Sequence, residues 1–137
     1  MLDKLWIWDP SRESTSVQPK QVINRAALLL RYKEPAVQWI NEADPHPDSR
    51  MISLDEINED RLIYLIRDED ADSPSHVEKW VRRNFKSLFE NELNGWYTDP
   101  SLWPNPLTYQ LFQGWFEVEC HSMVIDTVGG VIESDET

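Results

Sequence analysis

Glu117, Glu119, His121 and Met123 stand at alternate positions near the end of the chain. On a strand, alternate residues share one face, so Glu119 and His121 would project side by side with Glu117 next in line. An imidazole nitrogen beside carboxylate oxygens is a partial shell for zinc or a non-haem metal. That is the chemistry of a small metal-binding protein or metal-dependent enzyme. One strand seldom completes a metal site, so the competing reading is a solvent-facing edge with Val118, Cys120, Ser122 and Val124 turned inward. Were 116–126 helical, Glu117 and His121 would still be neighbours, at i and i+4.

Three other groups are candidates. Asp68-Glu69-Asp70-Ala71-Asp72 opens like a calcium loop, but Ser73 and Lys79 occupy the sixth and twelfth positions. Gly and Glu are needed there, so an acidic loop before a helix is the better reading. Arg82, Arg83 and Lys86 form the densest basic cluster, an anion site or the solvated face of an amphipathic helix. Trp96, Tyr97, Trp103, Tyr109, Phe112, Trp115 and Phe116 fall within twenty-one residues. Such residues anchor interfaces and line pockets, and they also plug cores beneath proline-rich loops. Trp96, Tyr97, Asp99 and Trp103, with Arg82, Arg83 and Lys86, are the candidate binding residues.

Catalytic signals are thin. There is no G-x-S-x-G elbow, phosphate loop or H-E-x-x-H motif, so no catalytic residue is assigned and no cofactor is expected. Cys120 and His121 would point to opposite faces of a strand and cannot form a thiolate pair.

The elements that must hold these groups can be read from the pattern. Residues 22–31 and 61–67 are strands, apolar on both faces and therefore expected to be covered on both. Pro35 starts a short helix over 36–43, ended by Asp44-Pro45-His46-Pro47-Asp48. Ser53 and Glu56 have capping-box spacing, and Ser75 with Glu78 repeats it. A helix over about 74–94 carries Val77, Trp80, Val81, Phe85, Leu88, Phe89 and Leu93 at helical period, with Ser73 as its N-cap and Gly95 as a left-handed C-cap. Asp99-Pro100 and Asn105-Pro106 each open a short helix, the second over 107–115. Residues 116–126 form a third strand. The expected fold is α+β: a small sheet of about three strands packed against one long amphipathic helix and shorter helices. Residues 1–20 read as an N-terminal arm that docks Trp6 or Trp8, 21–127 as a single domain, and 128–137 as an acidic tail.

Charge excludes several functions. Residues 1–86 carry 16 acids and 13 bases, whereas 87–137 carry nine acids and neither Lys nor Arg. A nucleic-acid or anionic-membrane binder needs cations that this third lacks. The longest strongly apolar run, Ala26 to Leu30, is far short of the roughly 18 residues a membrane span needs. The lone Cys120 and the lack of a signal-peptide core predict a cytoplasmic protein.

The stretches Ala27-Leu-Leu-Leu-Arg-Tyr-Lys-Glu-Pro-Ala-Val-Gln-Trp-Ile40 and Asn94-Gly-Trp-Tyr-Thr-Asp-Pro-Ser-Leu-Trp-Pro104 resemble those of a family of small bacterial proteins with no assigned function. The resemblance spans about 22–126 and implies no activity and no site. The expected function is a non-enzymatic protein-interaction or regulatory module with an acidic, Trp-rich surface and a protein partner. The alternatives are the metal protein built on Glu119 and His121, and an acidic DNA mimic.

Overall fold

Alternation along Arg25–Tyr32 builds the centre of the fold. In this computed structural model, which describes residues 22–44 and 51–135, that segment is strand β1, and Ala26, Leu28, Leu30 and Tyr32 are its buried positions. Strand β2 (Ile63–Arg67) and strand β3 (Phe116–His121) flank it in the order β2-β1-β3, both antiparallel. The fold is α+β, a three-stranded antiparallel sheet with one long helix and shorter ones.

The helices are α1 (Glu34–Glu42), α2 (Leu54–Ile57), α3 (Pro74–Trp96) and α4 (Tyr109–Trp115). The Ser53 hydroxyl accepts from the Glu56 amide while the Glu56 carboxylate accepts from the Ser53 amide, a complete capping box that starts α2. Ser73 caps α3 by accepting from the His76 amide. Ser75 takes no part in a capping box; its hydroxyl lies 3.1 Å from that of Ser73. Val81, Leu88, Phe89 and Leu93 of α3 enter the core with Phe112, Trp115 and Phe116. Phe89 sits at its centre, with ring centroids of Phe112, Trp115 and Phe116 all within 5.7 Å.

Several expectations need correction. Gly95 lies inside the last turn of α3, and the C-cap is Tyr97 in an extended conformation. The left-handed glycines are Gly129 and Gly130. Thr108, whose hydroxyl accepts from the Leu111 amide, caps α4 in place of Asn105. Asp99 does cap a short turn, the 3-10 helix Pro100–Leu102. The third strand stops at His121, and beyond it lie an isolated bridge at Val22 and Ile125 and a bond from the Ile23 amide to the Val124 carbonyl. The strands are not covered on both faces. Ile63 is 59% and Leu65 47% exposed, because the core helices pack on the opposite side of the sheet. The arm, the Pro45–Asp48 helix stop and the last two tail residues lie outside the described residues.

Two asparagines pair with backbone groups that the sheet and helices leave over. The Tyr32 amide donates to Asn58 Oδ1 and Asn58 Nδ2 donates to the Tyr32 carbonyl, at 2.9 and 3.1 Å. Asn41 makes the same two-point contact with Ile52, both bonds at 2.9 Å. Each satisfies a half-buried backbone pair that would otherwise lack partners.

Candidate functional site

Glu119 and His121 do lie together, with Glu119 Oε2 and His121 Nε2 3.2 Å apart. Arg61 takes the other carboxylate oxygen at 2.9 Å. The Arg61 and His121 hydrogen bonds hold the Glu119 carboxyl below its usual range. Among the described residues, no group of three or more His, Cys, Asp or Glu side chains is placed to hold a metal ion. Glu117, on the same face of β3, stands in register with Arg31.

The basic cluster faces the protein's own acids and rings. Arg82 reaches Glu78 at 3.3 Å and lies 4.5 Å over the Tyr109 ring. Arg83 sits 3.9 Å from Asp70. Lys86 is exposed on α3.

The aromatic segment is largely spent on structure. Trp103 Nε1 donates to the Tyr97 carbonyl, Tyr97 Oη to the Ile40 carbonyl, and Trp39 Nε1 to the Leu102 carbonyl. The rings of Trp39 and Tyr97 meet edge to face at 5.3 Å. The proline-rich loop is thus pinned over α1 by indole and phenol groups. Trp96 remains at the surface, but its Nε1 donates to Tyr32 Oη at 2.9 Å.

The buried polar centre that the sequence reading missed is Glu92, only 7% exposed. Tyr32 Oη donates to one carboxylate oxygen at 2.6 Å and Tyr64 Oη to the other at 2.5 Å. Burial, then the neighbouring Glu92, pushes both phenols well above the ordinary tyrosine range. An available signal was position: Glu92 falls on the face shared by Leu88, Phe89 and Leu93, where the period calls for an apolar residue.

A groove of about 670 Å³ lies elsewhere, between the N-terminal half of α3, α4 and β3. Val77, Val81, Phe112, Phe116, Val118 and Cys120 give it an apolar floor. Asp72, Glu78, Glu117 and Lys33 stand at its rim. The Lys33 ammonium is already donating to the Gln113 carbonyl at 2.8 Å. Cys120 is no activated nucleophile, since burial pushes its thiol up.

One wall of this groove is a sheet edge that no strand pairs among the described residues. The Lys33 amide donates to the Trp115 carbonyl, and the register continues through Arg31↔Glu117, Leu29↔Glu119 and Ala27↔His121. Antiparallel partners alternate between bonded and non-bonded pairs. The main-chain groups of Glu117, Glu119 and His121 therefore face β1, and those of Val118 and Cys120 face the groove.

Among the described residues, no helix is long and apolar enough to cross a membrane. Comparison with known proteins finds no matching family, characterised relative or solved structure. Function has to be read from the chain's own geometry.

Proposed function

We propose that the protein is a non-enzymatic interaction module that takes up an extended segment of a partner protein as a fourth strand, paired along β3. The observation that carries the reading is the outward-facing main chain of Val118 and Cys120 beside an apolar groove. Strand addition draws affinity from main-chain hydrogen bonds and specificity from pockets for alternate side chains. The six residues of β3 span roughly 20 Å, room for a peptide of similar length. The carboxylates of Asp72 and Glu78 against one committed ammonium favour a peptide with alternating apolar residues and a Lys or Arg beside them.

The groove supports this surface better than the Trp96, Tyr97 and Trp103 segment, whose polar atoms are consumed within the fold. The DNA-mimic alternative draws little support from the acids of residues 87–137. Glu92 is buried, Glu119 is held by Arg61, and Asp99 and Asp126 bond the backbone of turns.

The test is titration of the full chain with a synthetic peptide alternating Val and Thr and carrying Lys at one end, followed by amide NMR. Shifts at Val118, Cys120 and Val77 are expected. Val118→Pro removes an amide that has no hydrogen-bond partner among the described residues. It should weaken binding roughly tenfold or more, about the worth of one main-chain hydrogen bond, while the fold persists. Shifts confined to residues outside the groove, or equal binding by Val118→Pro, would sink the reading.

A further inference from the structure

Sheet edges are kept from pairing by proline, by lysine or by a bulge. Phe116–His121 holds no Pro, Lys or Gly. Its outward main chain, at Val118 and Cys120, is open among the described residues. The side chains on its outer face are Glu117, Glu119 and His121, two acids followed by an imidazole.

That order bears on what the edge pairs with. Two copies joined antiparallel along β3 are related by a twofold axis, so residue i meets j and j meets i. The registers that keep the open main chain bonded differ by two residues, and each puts the axis at a different position. With the axis at Val118, Glu117 of each copy meets Glu119 of the other. With the axis at Glu119, the two Glu119 side chains meet. With the axis at His121, two imidazoles meet. With the axis at Cys120, Glu119 of each copy stands opposite His121 of the other, and no carboxylate faces a carboxylate. Like charges directly opposite are destabilising and complementary partners stabilising, so charge selects this register. Glu119 already holds Arg61 on one oxygen and its own His121 on the other. An ionised carboxylate has about four acceptor sites, so it can take a second imidazole and keep Arg61. On the inner face the same register sets Cys120 against Cys120, and the apolar floors of the two grooves run into one another.

We infer that the chain pairs with a second copy through β3, antiparallel about an axis at Cys120, and that a partner peptide takes the edge by displacing that copy. The inference deepens the proposed function and rests on the same edge: the dimer is the closed state of the peptide site.

The test uses the full chain in two forms, Glu119→Cys and His121→Cys, each with Cys120→Ser. Directly opposite residues of an antiparallel non-bonded pair have Cα atoms about 4.5 Å apart, within disulfide reach. Position 119 of the two copies lies on a diagonal at roughly 7–8 Å, beyond that reach. In oxidised glutathione the mixed forms should therefore cross-link far more than either form alone. By sedimentation equilibrium the unsubstituted chain should dimerise, and His121→Glu should weaken the dimer roughly tenfold or more. Exchange of the Val118 and Cys120 amides should slow as protein concentration rises. The Val–Thr peptide carrying Lys should return the chain to monomer. Four results would each overturn the inference: a monomer at every concentration, Glu119→Cys cross-linking to itself, a His121→Glu dimer of unchanged strength, or a dimer that persists with peptide bound. A monomer that still shows peptide shifts at Val118 refutes the dimer and leaves the proposed function standing. A dimer that stays intact and shows no such shifts removes both.

Discussion

On the inner face of β1, Ala26, Leu28, Leu30 and Tyr32 meet helices and rings and are almost wholly buried. On its outer face, Arg25 and Arg31 are exposed, Ala27 and Leu29 are half-buried, and their β2 neighbours Ile63 and Leu65 stand half open. The two faces come from one strand and are about equally apolar at their centres. They differ in what closes them. The inner face is closed by shape, with Phe89 locked among three other rings, and by a polar hub where Tyr32 and Tyr64 meet Glu92. The outer face has apolar groups and arginines but, within the described residues, no covering element. Hydrophobicity makes a surface that wants burial; packing partners decide whether it is part of a core or part of an interface.

The contrast can be broken in order of expected effect. Phe89→Ala should destabilise the protein by about 3–5 kcal/mol in chemical denaturation, because the surrounding rings cannot close the cavity. Glu92→Leu should cost about 2–3 kcal/mol by leaving one buried and one half-buried phenol donor, Tyr32 and Tyr64, without their acceptor, and Glu92→Gln clearly less. Asn58→Ala should cost about 1–3 kcal/mol, since the half-buried Tyr32 backbone pair loses both partners. Leu65→Ser on the outer face should cost below about 1 kcal/mol. If Leu65→Ser cost as much as Phe89→Ala, the distinction between the faces would collapse.

A pH series sharpens the same contrast. The raised Tyr32 and Tyr64 phenols favour the folded state fully below the ordinary tyrosine value near 10. Above it the unfolded chain releases protons that the native state retains, so stability should fall as pH rises towards the folded values. Denaturation midpoints between pH 9 and 11 should show this slope, and Tyr32→Phe with Tyr64→Phe should flatten it. On the outer face the sign reverses. The lowered Glu119 carboxyl contributes above the unfolded value near 4.3, and that contribution disappears as pH falls through the folded one. Glu119 is more than a third exposed, so this effect should stay below about 1 kcal/mol.

Most local signals in the sequence held, because their physics is local. The period of α3, its Ser73 cap, the Ser53 capping box and the Asp99 turn all depend on residues within a few positions of one another. Two local signals lost to a neighbouring cap, Ser75 with Glu78 to Ser73 and Asn105 to Thr108, and the other failures depended on distant partners. Nothing near Gly95 says that the helix will run through it to let Trp96 reach Tyr32. The double-apolar runs at 22–31 and 61–67 gave no sign of which face the helices would leave open. Glu119 beside His121 was legible from alternation, but Arg61, which takes its other oxygen, comes from 58 residues away. The groove was hidden for a similar reason, since only the order β2-β1-β3 makes β3 an edge.

The Glu92 hub also bears on motion. One carboxylate on α3 holds the central strand through Tyr32 and the outer strand β2 through Tyr64, while Trp96 returns to Tyr32 from the end of the same helix. None of these elements can swing away without exposing a donor or acceptor on another. In native-state hydrogen exchange, the amides of β1, β2 and the last turns of α3 should therefore open together, as one cooperative unit. The β3 edge should exchange earlier, because no bond to the hub restrains its outward-facing amides.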